Sequence, residues 1–170
     1  MKKKFIYFVI LFSAIVLQTS VLPLIFHGRP VGDLVLMFVL AGAVLDGFAT
    51  FLWWAVFAGA VYDFATYTTV GLHSLIFLLV VYSVSFFSRR LSVEFKGVGL
   101  ALLILFVAAS SVISQIILGW QTIFEVQKAH GFFGPLGGLG VFSLEISYNT
   151  ILFFVCFAIL KKTKSFFTIE

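Results

Sequence analysis

The chain has 170 residues, of which 62% are hydrophobic and only 11% charged, with a formal net charge of +4 and a mean hydropathy of +1.17. Soluble domains carry roughly a quarter charged residues, so this composition excludes a soluble globular protein, and a single cysteine, Cys156, inside an apolar run excludes a disulfide framework or a thiolate metal site. What remains is an integral membrane protein forming one domain over residues 1–170, too short to bury a separate soluble core between its spans.

The first predicted element is the apolar run from Phe5 to Phe26, behind Lys2, Lys3 and Lys4. It imitates a signal peptide, but it is long enough to cross a hydrocarbon core of ~30 Å at ~1.5 Å per residue, so it is read as the first span. The next run, Leu34 to Phe64, would make a single helix of roughly 46 Å and is interrupted by Asp46-Gly47. Two helices joined by a tight turn are predicted instead, near 31–45 and 48–66. Further helices are predicted near 72–88, 97–118 and 139–160, the last after a long connection that ends in "GFFGPLGGLG". None of these runs alternates as barrel strands do, and in lipid only helices otherwise satisfy their own backbone. The fold class is therefore an all-α integral membrane protein, six transmembrane helices in one compact bundle.

Basic residues orient the bundle, because short cytoplasmic loops collect Lys and Arg. Six spans put both termini in the cytoplasm and hold Lys2–Lys4, Arg89, Arg90, Lys96, Lys161, Lys162 and Lys164 there, leaving only Arg29 and Lys128 outside. Five spans would invert the bias. The clusters "KKK", "RRLSVEFK" and "KKTK" thus report topology and attraction to anionic membrane lipid, and no nucleic-acid partner is expected.

Under this topology the polar residues at membrane depth gather toward the outer side. Gln18 lies in the outer half of the first helix, Asp33 opens the second, Asp63 ends the third and His73 begins the fourth. Ser114 and Gln115 close the fifth, and Glu145 and Asn149 stand one turn apart on the sixth. A charge facing lipid costs at least ~2.5 kcal/mol, so an outward-open polar pocket or partner groove is expected. Asp33 is read as stabilising the positive end of its helix and pairing with Arg29. Asp63 has two readings, a hydrated cap at headgroup level with Thr66, Thr68 and Thr69, or a buried role. Glu145 is expected to find an interior partner such as Gln18, Gln115 or a basic group of another chain, and Ser110, Ser111 and Ser114 are read as helix packing.

Reactive constellations are poor. His27, His73 and His130 lack metal-ligand spacing with one another, Glu125 or Asp33, and there is no nucleophile elbow, H-E-x-x-H pattern or phosphate loop. No enzyme, metal or cofactor is expected.

Four stretches together resemble the bacterial rod shape-determining protein MreD family: "LQTSVLP", the entry from Pro30 to Leu36, "GAVYDF" followed by Gly71, and Asn149 twelve residues before Lys161. Gly59, Asp63 and Gly71 have the family's spacing. Two departures stand out: Pro30-Val31-Gly32-Asp33 replaces a direct Pro-Asp or Pro-Asn, and Phe154 stands about where many members have a proline, which predicts a straighter last helix. The resemblance implies a non-enzymatic scaffold of the peptidoglycan elongation machinery, or elongasome, in the bacterial cytoplasmic membrane. Such a scaffold binds the single-span protein MreC, connects MreB filaments indirectly to RodA and its transpeptidase, and helps maintain rod cell shape. It also implies a fold similar to the substrate-binding subunits of energy-coupling-factor transporters. The alternative function is a subunit of that kind, holding a vitamin-like solute; for the scaffold no small-molecule ligand is expected. The partner or pocket candidates are Gln18, Asp33, Gly59, Asp63, Gly71, His73, Gln115, Glu145 and Asn149. Gly42, Gly59, Ala60, Gly97 and Gly99 are the small residues suited to close contact with an MreC helix.

Overall fold

The computed structural model of the chain describes residues 2–26, 32–90, 104–114, 116–117 and 137–166. Every regular element among them is helical. Helix α1 (Lys2–Val16) passes through a π-helical turn, Leu17–Val21, into α2 (Leu22–Phe26). Pro23 accounts for the widening, because it has no N–H for the carbonyl four residues back; the Leu22 N–H reaches Leu17 O, five residues back, instead. Then come α3 (Leu34–Asp46), α4 (Phe48–Thr66), α5 (Leu72–Arg90), α6 (Ile104–Ser114) and α7 (Gly137–Phe166).

These elements coincide with the six predicted, with shifted ends. The second starts at Leu34 rather than near 31, since Asp33 caps it. The last runs unbroken past Phe154 to Phe166, beyond the predicted 160, because lysines are good helix formers and extend an apolar helix into water. Much of the predicted fifth helix, 97–103 and 118, lies outside the described residues. Among the described residues, two segments suffice by length and apolarity to cross a bilayer, Phe5–Ile25 and Ile146–Phe166, while Leu34–Asp46, Leu72–Phe86 and Ile104–Ser114 are apolar but shorter.

Helix α3 is the centre of the bundle. All residues from Val35 to Ala43 are buried, and α1, α4, α5 and α7 pack around them. α3 is apolar on every side and has no polar face to hold toward water, and neighbouring helices cover it all round. The predicted break at Asp46-Gly47 is a turn of one residue. Gly47 has φ 80° and ψ 170°, a conformation essentially closed to residues with a Cβ, and its N–H donates to Ala43 O while its carbonyl accepts from Phe51.

Helices α4 and α5 form a tight antiparallel hairpin. A Cβ at Gly59 would collide with the backbone of His73 and Ser74, and the Ser74 hydroxyl donates to Val56 O at 3.1 Å. Gly42 likewise receives the ring of Phe51. This corrects one expectation: Gly42 and Gly59 serve contacts within the chain, where close packing was needed first, and neither offers its missing side chain to an MreC helix. Gly97 and Gly99 lie outside the described residues.

Candidate functional site

Asp63 sits in the last turn of α4, fully buried. Its Oδ1 accepts from the Thr68 hydroxyl (3.1 Å), the His73 N–H (3.1 Å) and the His73 Nδ1 (2.6 Å), and its Oδ2 accepts from the Gly71 N–H (2.7 Å). Its backbone carbonyl closes the helix, accepting from Tyr67, in the left-handed region at φ 55°, and from Thr68 at 3.2 Å. One aspartate therefore determines the path from Thr66 to His73. Of the two readings open from the sequence, the buried one holds. The expected threonine cap is carried by Thr68, with Thr66 behind it at 3.1 Å.

The reason for burial is geometric. Gly59 lets the start of α5 approach α4, and the amides of Gly71 and His73, unpartnered at the first turn of α5, then point at the carboxylate. A buried charge is tolerated where fixed donors replace water.

A second cluster holds the start of α3. Asp33 is its N-cap, Oδ1 accepting from the Leu36 N–H at 2.9 Å. Gln18, on the π turn, donates to Gly32 O (3.2 Å) and accepts from the Leu34 N–H (3.0 Å). Asn149, on α7, accepts the Asp33 N–H at 2.7 Å and donates to the Ser111 hydroxyl of α6 at 2.7 Å. Two amides thus grip the backbone on either side of the cap. Gly32 passes so close to Asn149 that a Cβ there would strike its side chain.

Tyr62 packs against the Asp63 cluster. Its ring stands edge-on to His73 at 4.7 Å between centroids and stacks near Phe77 at 6.2 Å. The structure therefore brings together Gln18, Asp33, Gly59, Asp63, Gly71, His73 and Asn149 at one end of the bundle. The backbone at Glu145 lies in α7, while its side chain, Gln115 and the Arg29 expected to pair with Asp33 lie outside the described residues. Gln18, offered as a partner for Glu145, is engaged by Gly32 and Leu34. Among the described residues, these side chains close on helix ends and on one another, because those ends expose amides that need acceptors.

The arrangement does not form a nucleophilic relay. The Thr68 hydroxyl is 3.4 Å from His73 Nδ1, the nitrogen already facing Asp63, whereas a relay needs the nucleophile on Nε2 and the acid on Nδ1.

The far end of α3 carries a contact that the sequence reading missed. Asp46 accepts from the Tyr7 hydroxyl of α1 and, at 2.6 Å, from Lys164 of α7. Lys164 therefore has a partner within the chain besides its part in the basic "KKTK" cluster. The usable signal was an acid immediately before the glycine that breaks an apolar run, since such an acid must be enclosed with partners. Tyr62 was also missed, hidden by apolar surroundings, and Ser111, read as helix packing, is in addition the acceptor of Asn149.

Residues 2–163 match the model of the family described as rod shape-determining protein MreD. The chain belongs to that family. No curated protein and no solved structure matches it. The match spans both clusters and the Asp46 contact except Lys164, one residue past its end. In this member of the MreD family, Gly59, Asp63 and Gly71 are the parts of one hairpin lock. Membership makes this a cell shape-determining membrane protein family at work, and the helices described fit that class.

Proposed function

We propose that the chain is a non-enzymatic scaffold of the cell-wall elongation machinery, crossing the bacterial cytoplasmic membrane six times with both termini in the cytoplasm. In this reading the Asp63–His73 end faces outward, and the bundle binds MreC, through it RodA and its transpeptidase, and indirectly MreB. The observation that carries the reading is the near full-length family match, and it is supported by the use of the motif residues, which fix helix ends and so preserve the shape of a surface. A fold like that of the energy-coupling-factor substrate subunits is part of the proposal. The solute-carrier alternative has less support, since it needs Gln18, Asp63 and Asn149 to face a ligand, and those groups are engaged by Gly32, Leu34, Gly71, His73, Asp33 and Ser111.

Affinity purification of the tagged chain from native membrane in mild detergent tests the scaffold. MreC should co-purify in stable proportion. A chain that never captures MreC, even when the two are co-expressed, overturns the scaffold, and stabilisation by a vitamin-like solute instead would establish the alternative. Labelling of engineered cysteines beside Arg89 or Lys162 by an impermeant reagent on intact cells would overturn the topology.

A further inference from the structure

Between α1 and α4 lies an open groove of about 740 Å³, walled by Tyr7, Phe8, Thr50, Trp53, Trp54 and Phe57. From the start of its α4 wall to Phe57 it runs two helical turns, ~12 Å along the axis. Its character changes along that length. Phe8, Trp53 and Phe57 are exposed and apolar, and Phe12 continues the strip on α1. At the other end the Tyr7 ring forms the wall while its hydroxyl donates to Asp46, which also holds Lys164.

That end carries a partly exposed cation. Asp46 is only 3% exposed and is held by both donors, so it presents little negative charge. Lys164 keeps 27% of its side chain exposed and gives one of its three N–H groups to Asp46, leaving two. The Thr50 hydroxyl and the Trp53 indole N–H, both on exposed residues, hold no partner among the described residues. Lys3 and Lys4 stand one turn before Tyr7 and Phe8 on α1, and Lys161 and Lys162 are exposed on α7.

We propose that this groove binds one anionic phospholipid, its acyl chain lying along Phe8, Trp53 and Phe57 and its phosphodiester meeting Lys164 and Thr50 at the Tyr7–Asp46 end. Charge complementarity selects the occupant. A second copy of the chain would bring its own excess of lysines to the same end, and a wholly apolar helix would leave the donors unsatisfied. The inference rests on the membrane-crossing reading above.

Tryptophan quenching by brominated lipid tests it. The full chain carrying Trp120→Phe, so that Trp53 and Trp54 report, is placed in vesicles of phosphatidylglycerol and phosphatidylcholine in equal parts, with one or the other brominated. Brominated phosphatidylglycerol should quench more strongly, with a relative affinity of about fivefold. Lys164→Gln should bring the two lipids to equality, Lys164→Arg should keep the preference, and Thr50→Val, on an exposed position, should reduce it without changing the melting temperature. Equal quenching in the parent chain overturns the site but leaves the membrane reading standing. Quenching by neither lipid also overturns it, because the groove is then covered by protein. If the chain is in addition released from membranes by carbonate, the membrane reading falls as well.

Discussion

The two ends of α3 are held by opposite means. At Asp33, side chains serve the backbone: Gln18 and Asn149 reach from the π turn and α7 to peptide groups whose positions are fixed by the helix itself. At Asp46, side chains serve one another, with Tyr7 and a long, partly exposed lysine converging on one carboxylate. Amide-to-backbone ties have short reach and one geometry, so they fix where helices begin. A lysine on a flexible stem tolerates movement, so the Asp46 end can adapt while the Asp33–Asp63 end cannot.

Substitutions can break that contrast. The largest effect belongs to Asp63→Leu, which leaves the donors of Thr68, Gly71 and His73 without an acceptor. It should destabilise the chain by about 4 kcal/mol, read by thermal unfolding in mild detergent, while insertion into the membrane is retained. Asn149→Leu removes the partner of the Asp33 N–H and of Ser111. About 2 kcal/mol should be lost, independent of salt, since both partners are neutral and the amide is buried.

The other end sharpens the comparison. A double-mutant cycle of Asp46→Asn with Lys164→Gln should give a coupling of about 1 kcal/mol that shrinks as salt rises, because Lys164 is partly solvated. A coupling that large salt leaves untouched would mean that the two ends are equally rigid. The smallest effect is Tyr67→Gly. Tyr67 is nearly fully exposed in the left-handed region, so glycine should be neutral or raise stability by about 0.5 kcal/mol. A clear loss in the same melting assay would show that the Tyr67 ring makes a contact of its own.

Much of the fold was legible in the sequence. Apolar runs and the glycine after Asp46 fix local backbone behaviour and act where expected, whereas the π turn beside Pro23 was not anticipated. The candidate site was legible as a set of residues rather than as a set of contacts. Gln18, Asp33, Asp63, His73 and Asn149 were singled out because polar groups in an apolar chain need partners. Their partners are mostly backbone amides, which every residue has and which a sequence therefore cannot mark. The Asp46 contact was missed because it joins residues 39 and 118 positions apart in the chain.

The sequence by itself determined the helices, the family and the identity of the polar residues, since apolarity, glycine, proline and motif spacing act over one or two turns of chain. Only the tertiary structure decided that α3 lies at the centre and that Gly59 admits α5. It alone also directed the carboxylate of Asp63 and the amides of Gln18 and Asn149 to backbone groups. The physical reason is that a hydrogen bond inside an apolar bundle goes to whichever unsatisfied donor or acceptor packing brings within 3 Å, and packing is a property of all the helices together.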